Sequence, residues 1–393
     1  MLFEEIINFI KELYNHQTAI PLHEPKFFGN EKKYLNECID SGFVSSVGDF
    51  VNRFEQDIAK FCGVKYAVAT TNGTSALHLS LCALGINSEC EVITQPLTFI
   101  ATSNAIAYTG AKPIYIDVDM DSMGMSPLSL QDFLQKNAIM KNGVAVNKNT
   151  NKIIKACIPM HTFGHPVRIF EIQQICKKWN IYLVEDAAES LGSYVINRNN
   201  ELIHTGSFGV CGILSFNGNK IITSGGGGAV VTNDKDLAIK LKHLSTTAKI
   251  PHLYKYEHDF IGYNYRLPNI NAALVVAQIE QLEKFLSIKA KIAKLYENFF
   301  DKHSSKVKFI KARNETRPNF WLNAILFEQI EDKEKFLEYS NKHHVATRPI
   351  WVLNNELTMY ENCQCDNLTN AKFLSDRIVN IPSSVIRNLI KGE

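Results

Sequence analysis

The sequence predicts an α/β protein: a large, mostly parallel β-sheet domain followed by a smaller C-terminal α/β domain. Two observations carry this. From Tyr66 onward, short continuous apolar runs alternate with stretches of helical periodicity, and strands that are apolar throughout belong to sheets covered on both faces. The chain has 393 residues, 45% hydrophobic and 21% charged, which is enough for a large core and ordinary for a globular protein.

Taken in order, residues 66–71 read as the first buried strand and 74–84 as the helix after it. Residues 91–94 form a second strand with a helix over 99–108. A third strand spans 113–118, with a helix over 128–138. Strands at 154–160 and 181–185 flank a helix at 169–179. Strands at 212–216 and 229–232 have no helix between them, so they are free to pair antiparallel within a mixed sheet. The Asn- and Lys-rich stretch 142–152 reads as a surface excursion. Residues 271–295 carry long helical periodicity (Ala273, Val276, Ala277, Ile279, Leu282, Phe285, Leu286) and lead into the smaller unit, whose own apolar runs include 323–327. The expected organisation is an N-terminal arm over 1–30, a large domain over 31–270, and a connecting helix with a small domain over 271–393.

Composition narrows the function. The net charge of +2 comes from 42 basic and 40 acidic residues that are well mixed, against the basic stripe of a nucleic-acid surface. Nine cysteines are scattered, and Cys363 and Cys365 fit neither redox nor zinc spacing; they read as reduced thiols of a cytoplasmic protein, with no metal site. The amphipathic start, with Glu4, Glu5, Lys11 and Glu12, lacks the pattern of a signal peptide. No apolar run reaches spanning length, so no membrane partner is expected.

The chemistry is concentrated in two segments. Ser215-Phe216-Asn217-Gly218-Asn219-Lys220 is followed by Ile-Ile-Thr-Ser and the glycines Gly225 to Gly228. A lysine in such a turn, with a hydroxyl five positions earlier, can form an imine with an aldehyde cofactor. Upstream, Tyr182-Leu183-Val184-Glu185-Asp186-Ala187-Ala188-Glu189-Ser190 is an apolar strand ending in a carboxylate and two alanines. A buried carboxylate with a small-residue floor suits a pyridinium nitrogen and the face of its ring. Together the two segments point to pyridoxal phosphate. Singly, Lys220 is also a surface turn lysine, and Asp186 also a helix cap. A P-loop is excluded: Asn219 precedes Lys220, Ile221 follows it, and five residues separate Gly212 from Gly218.

In this order and spacing the segments resemble the DegT/DnrJ family of sugar aminotransferases, fold-type-I pyridoxal phosphate enzymes acting on nucleotide-linked keto sugars. The resemblance runs from about Pro21 to Pro382. The stretches Pro21-Leu22-His23-Glu24-Pro25, Gly42-Phe43-Val44-Ser45-Ser46-Val47-Gly48, Met160-His161-Thr162-Phe163-Gly164-His165-Pro166 and Gly262-Tyr263-Asn264-Tyr265-Arg266-Leu267-Pro268-Asn269 are similar to the branch tied to legionaminic-type nonulosonic acids.

The resemblance implies a role for each site residue. Lys220 would hold the cofactor as a Schiff base and move the proton; Asp186 would pair with the pyridine nitrogen. Ala188 would lie under the ring and Phe99 on its other face, although a lone Phe is also ordinary core. Gly73, Thr74, Ser75 and Ser215 would hold the phosphate, although Asn72 to Ala76 is equally a capped helix start. Glu189 stands where the family often has His or Gln, so its role stays open between the cofactor's phenolic oxygen and a neighbouring side chain. Asn264, with Arg266 second, would reach the cofactor phosphate of the neighbouring subunit in a homodimer. His23, Phe27, His161, Arg266, Asn323 and Arg348 are candidate substrate contacts. The implied reaction takes the amine of L-glutamate, leaving 2-oxoglutarate and pyridoxamine 5'-phosphate, and places it on C4 of a nucleotide-linked 4-keto-6-deoxy-N-acetylhexosamine. A dehydratase of the same family would replace the lysine with histidine, and a non-catalytic regulatory protein would be expected to lose Lys220 or Asp186.

Overall fold

The computed structural model describes residues 2–303, 305–386 and 389. The outermost ends of the expected N-terminal arm and C-terminal domain, Met1 and 390–393, lie outside them. Eleven strands precede the C-terminal region: β1 (Tyr66–Thr70), β2 (Cys90–Thr94), β3 (Lys112–Tyr115), β4 (Ala138–Lys141), β5 (Val144–Asn147), β6 (Ile153–Ile158), β7 (Tyr182–Asp186), β8 (Tyr194–Ile196), β9 (Leu202–His204), β10 (Cys211–Ser215) and β11 (Gly228–Thr232). The main sheet runs β1-β11-β10-β7-β6-β2-β3. Every neighbouring pair is parallel except those made by β11, which runs against both β1 and β10.

The strands are apolar throughout because each face is covered. Val92, Ile158, Val184 and Ile213 pack into one buried cluster with helices Gly73–Ala83 and Lys235–Ser245. Their neighbours Ile93, Cys157 and Leu183 point the other way, against Pro127–Asn137 and Ile169–Lys178, as the two-residue period of a strand requires.

The stretch expected to be a surface excursion is partly structured. Its tight turn, Asn142 and Gly143 at φ 49° and 81°, joins β4 to β5 as a hairpin, and Val146 bridges to Ile153 of β6. The long periodicity over 271–295 resolves into two helices, Asn269–Ile279 and Leu282–Phe300, broken at Glu280 and Gln281.

The C-terminal sheet is antiparallel, in the order β12 (Val307–Phe309), β14 (Asn323–Phe327), β16 (Ile378–Ile381), β15 (Arg348–Pro349), while β13 (Thr316–Arg317) joins β8 and β9 instead. The first helix, Leu2–Leu13, packs here: Phe3 sits edge-on to Phe327 and Phe336, and Phe9 stacks on Phe299. Among the described residues, no helix is long and apolar enough to cross a membrane.

Candidate active site

A cavity of about 350 Å³ opens where β7 and β10 end, the crevice in which α/β sheets receive ligands. Gly73, Thr74, Phe99, Asp186, Ala188, Glu189, Ser215 and Lys220, all singled out in the sequence, line it. Leu77, Thr102, Met160, Asn217, Asn219, Trp321 and Trp351 line it too.

One end is a helix start. Asn72 leaves β1 in an extended conformation, and its side chain accepts the Ser75 N–H at 2.8 Å; such a cap is worth about 1 kcal/mol. The first amides of a helix have no partner in a preceding turn, so with Ser75 taken, Gly73 and Thr74 present theirs to an anion beside the Ser215 hydroxyl. A Cβ on Gly73 would stand 3.1 Å from Ser215 Cβ and 3.4 Å from its Oγ, filling the seat. The Ser75 amide is thus occupied and Ser75 does not line the cavity.

In the middle lies Asp186, 3% exposed. Thr102 Oγ1 donates to its Oδ2 at 2.6 Å and the Ala188 N–H to its Oδ1 at 3.2 Å. Burial pushes its pKa up, while the Thr102 and Ala188 hydrogen bonds and the Lys220 charge pull it down. A cationic ring N–H is the partner such a carboxylate lacks.

Lys220 closes the other side. Its Nζ is 3.2 Å from Glu189 Oε1 and 4.0 Å from the centroid of Trp321. Glu189 Oε2 accepts the Phe163 N–H at 2.9 Å. Burial pushes the Glu189 carboxyl up to about 7, with Lys220 opposing the shift. Glu189 thus pairs with a neighbouring side chain, Lys220.

The remaining candidates are placed elsewhere. His161 is fully buried; its Nδ1 accepts the Val167 N–H, so its Nε2 donates to Glu185 at 3.1 Å. With both nitrogens spent, it braces the loop after β6 and does not line the cavity. Asn323 is also buried, its amide donating to Ser383 Oγ while its Oδ1 has no partner among the described residues, and it does not line the cavity. Arg348 bonds Asn341 and the Thr347 carbonyl, Phe27 is half exposed, and Arg266 reaches only as far as Asn264; none lines the cavity. His23 lies behind the lysine turn, its pKa held well below the usual range first by burial and then by Lys289. Asn264 is exposed on a loop outside this chain's own cavity.

Sequence reasoning missed Thr102, which sits in an unremarkable helix, and the two tryptophans, which lie far along the chain. Glu185 was also missed. It accepts the Gly206, Phe208 and Gly209 amides as well as His161. Its only sequence signal is a charge inside an apolar strand.

An anion seat at a helix start, a buried carboxylate over a small-residue floor and a lysine at the mouth make this a pyridoxal phosphate-dependent transferase. The cofactor, when bound, supplies the electron sink. The chain's own groups would do the rest: Gly73, Thr74 and Ser215 are placed to anchor its phosphate, Asp186 to hold the ring-nitrogen proton, and Lys220 Nζ to carry a proton.

Comparison with known proteins supports the enzyme class and narrows it. The model of the DegT/DnrJ/EryC1/StrS aminotransferase family matches residues 27–387, and the chain belongs to that family. It is 37% identical over 364 residues to the GDP-perosamine synthase of Escherichia coli O157:H7, covering 93% of each chain. It is 34% identical over 257 residues, 65% of this chain and 63% of the other, to the UDP-4-amino-4,6-dideoxy-N-acetyl-beta-L-altrosamine transaminase of Campylobacter jejuni. The solved DegT DnrJ EryC1 StrS aminotransferase from Brucella abortus superposes with a TM-score of 0.80 at 26% identity over 90% of both chains. The chain is an aminotransferase.

Proposed function

We propose that this aminotransferase takes its amine from L-glutamate and places it on C4 of a nucleotide-linked 4-keto-6-deoxy-N-acetylhexosamine, for nonulosonic acid of the legionaminic type or a related bacterial surface glycan. The observation that carries the chemistry is the convergence of Lys220, Asp186 and the Gly73–Ser215 seat on one cavity. Retention of Lys220 and Asp186 speaks against the dehydratase and regulatory alternatives. The sugar position is supported by the 4-amino-4,6-dideoxy product in the name of the Campylobacter relative. A second reading, a GDP-linked sugar without the N-acetyl group, is favoured by the longer match to GDP-perosamine synthases.

The enzyme would work in the cytoplasm as a homodimer in which Asn264, backed by Arg266, reaches the neighbouring cofactor phosphate. Support comes from the exposed apolar residues just before that loop, Leu253, Tyr254, Tyr256, Phe260 and Ile261.

The test loads the protein with pyridoxamine 5'-phosphate and offers UDP- and GDP-linked 4-keto-6-deoxy sugars, with and without the N-acetyl group. Return of the visible absorption of the pyridoxal form is expected with an N-acetylated sugar. Return only with the non-acetylated GDP sugar favours the second reading. No return with any, in protein that bleaches with glutamate, rejects the substrate class.

A further inference from the structure

Two groups that favour an ammonium converge on Lys220 Nζ: the Glu189 carboxylate at 3.2 Å and the Trp321 ring, centroid 4.0 Å away. Each is fixed from behind. Glu189 is 3% exposed and held by the Phe163 N–H. The Trp321 indole N–H donates to the Asn219 carbonyl at 2.7 Å, one residue before the lysine, which locks the ring to the turn it serves.

We propose that Glu189 and Trp321 form a holding station for the free Lys220 amine: whenever the lysine is not bonded to the cofactor, they keep it paired and aimed into the cavity. A transaminating lysine spends part of each cycle detached, and a loose four-carbon chain would lose its place above the reacting carbon. Carboxylate and indole face each stabilise the ammonium, the second by cation–π attraction. Both are positioning residues. The inference rests on the aminotransferase chemistry and not on the choice of sugar.

The other charged groups facing the pair are Asp186, from the end of β7, and His23, from the N-terminal segment. Asp186 opposes ionisation of Glu189 and His23 adds no charge when neutral, as its burial favours. His161 stands behind Asp186. Glu189 is thus the carboxylate that meets Lys220 in contact.

The test uses cofactor-free full-length protein and needs neither sugar nor glutamate. Lys220 is reductively methylated with formaldehyde and cyanoborohydride at one fixed pH, and the rate at which the labelled peptide appears is followed by mass spectrometry. Glu189→Gln should raise that rate about threefold or more, because the amine is released from its partner. Glu189→Asp should stay nearer wild type, and Trp321→Leu should raise the rate about twofold. An unchanged rate in Glu189→Gln, with native circular dichroism, overturns the proposal; if that variant does not fold, an unchanged rate in Trp321→Leu does so. Failure here leaves the proposed sugar untouched, and rejection of every sugar leaves this measurement standing.

Discussion

At the scale of single residues, the site works by burying charge next to a chosen partner. In its proposed role Asp186 would stay ionised to hold a ring-nitrogen proton; burial opposes this, and Thr102 is among the few groups that counter it. Thr102→Val should therefore raise the Asp186 pKa further. The acid limb of the pH–rate profile should move to higher pH, and turnover below neutrality should fall by about tenfold or more; an unshifted limb would show that Thr102 only packs. Lys220→Ala should abolish turnover and leave the melting curve intact. Glu189 has the opposite linkage to a surface acid. Its carboxyl is raised from 4.5 to about 7, so its stabilising protonated form is fully present below the unfolded value and is lost as pH rises through about 7. In Glu189→Gln that loss is absent, which favours the variant as pH rises. Melting curves of cofactor-free protein at pH 5 and pH 8 should show the difference between variant and wild type moving toward the variant by up to about 3 kcal/mol.

At the scale of elements, β11 sets the site by running the wrong way. Its first residue, Gly228, pairs with both Thr70 and Ser215, so it wedges between the strand that launches the phosphate helix and the strand that carries the lysine turn. A Cβ there would lie 2.4 Å from the Asn72 carbonyl carbon and 2.8 Å from the Gly73 nitrogen, backbone that cannot step aside. Gly228→Ala should cost about 1–3 kcal/mol by overpacking and weaken cofactor affinity as well, measured by spectroscopic titration; normal affinity would mean the turn shifts without disturbing the seat. This arrangement was partly legible in the sequence. The absence of a helix between β10 and β11 allowed the antiparallel pairing. Lys220 and Asp186 were legible because strand-end chemistry leaves a local signature. Trp321 and Trp351 were not, because their place in the cavity depends on how the C-terminal region folds back over the main sheet. The β4–β5 hairpin was hidden because four-residue strands around Asn142 and Gly143 carry the composition of a loop.

At the scale of the whole molecule, the loop holding Asn264 ties the cavity to the outer surface. The Tyr265 carbonyl accepts the Thr71 N–H at 2.9 Å, just before the phosphate turn, and Tyr263 and Tyr265 are pinned to Cys82 and His78 of the same helix. The helix start that seats one phosphate therefore also fixes the loop proposed to serve the other subunit. The segment before it exposes Leu253 at 98% and Phe260 at 64%, apolar surface that association would remove from water at about 25 cal/mol per Å². Leu253→Asp with Phe260→Asp should convert a dimer to a monomer in sedimentation and lower cofactor affinity in step, because each site would lose its donor from the neighbour. Asn264→Ala should separate the two effects: the dimer persists, while affinity falls by about tenfold, the value of one hydrogen bond to a charged group. If the double variant is monomeric and still binds cofactor as wild type does, each site is complete within one chain and Asn264 serves only its own loop.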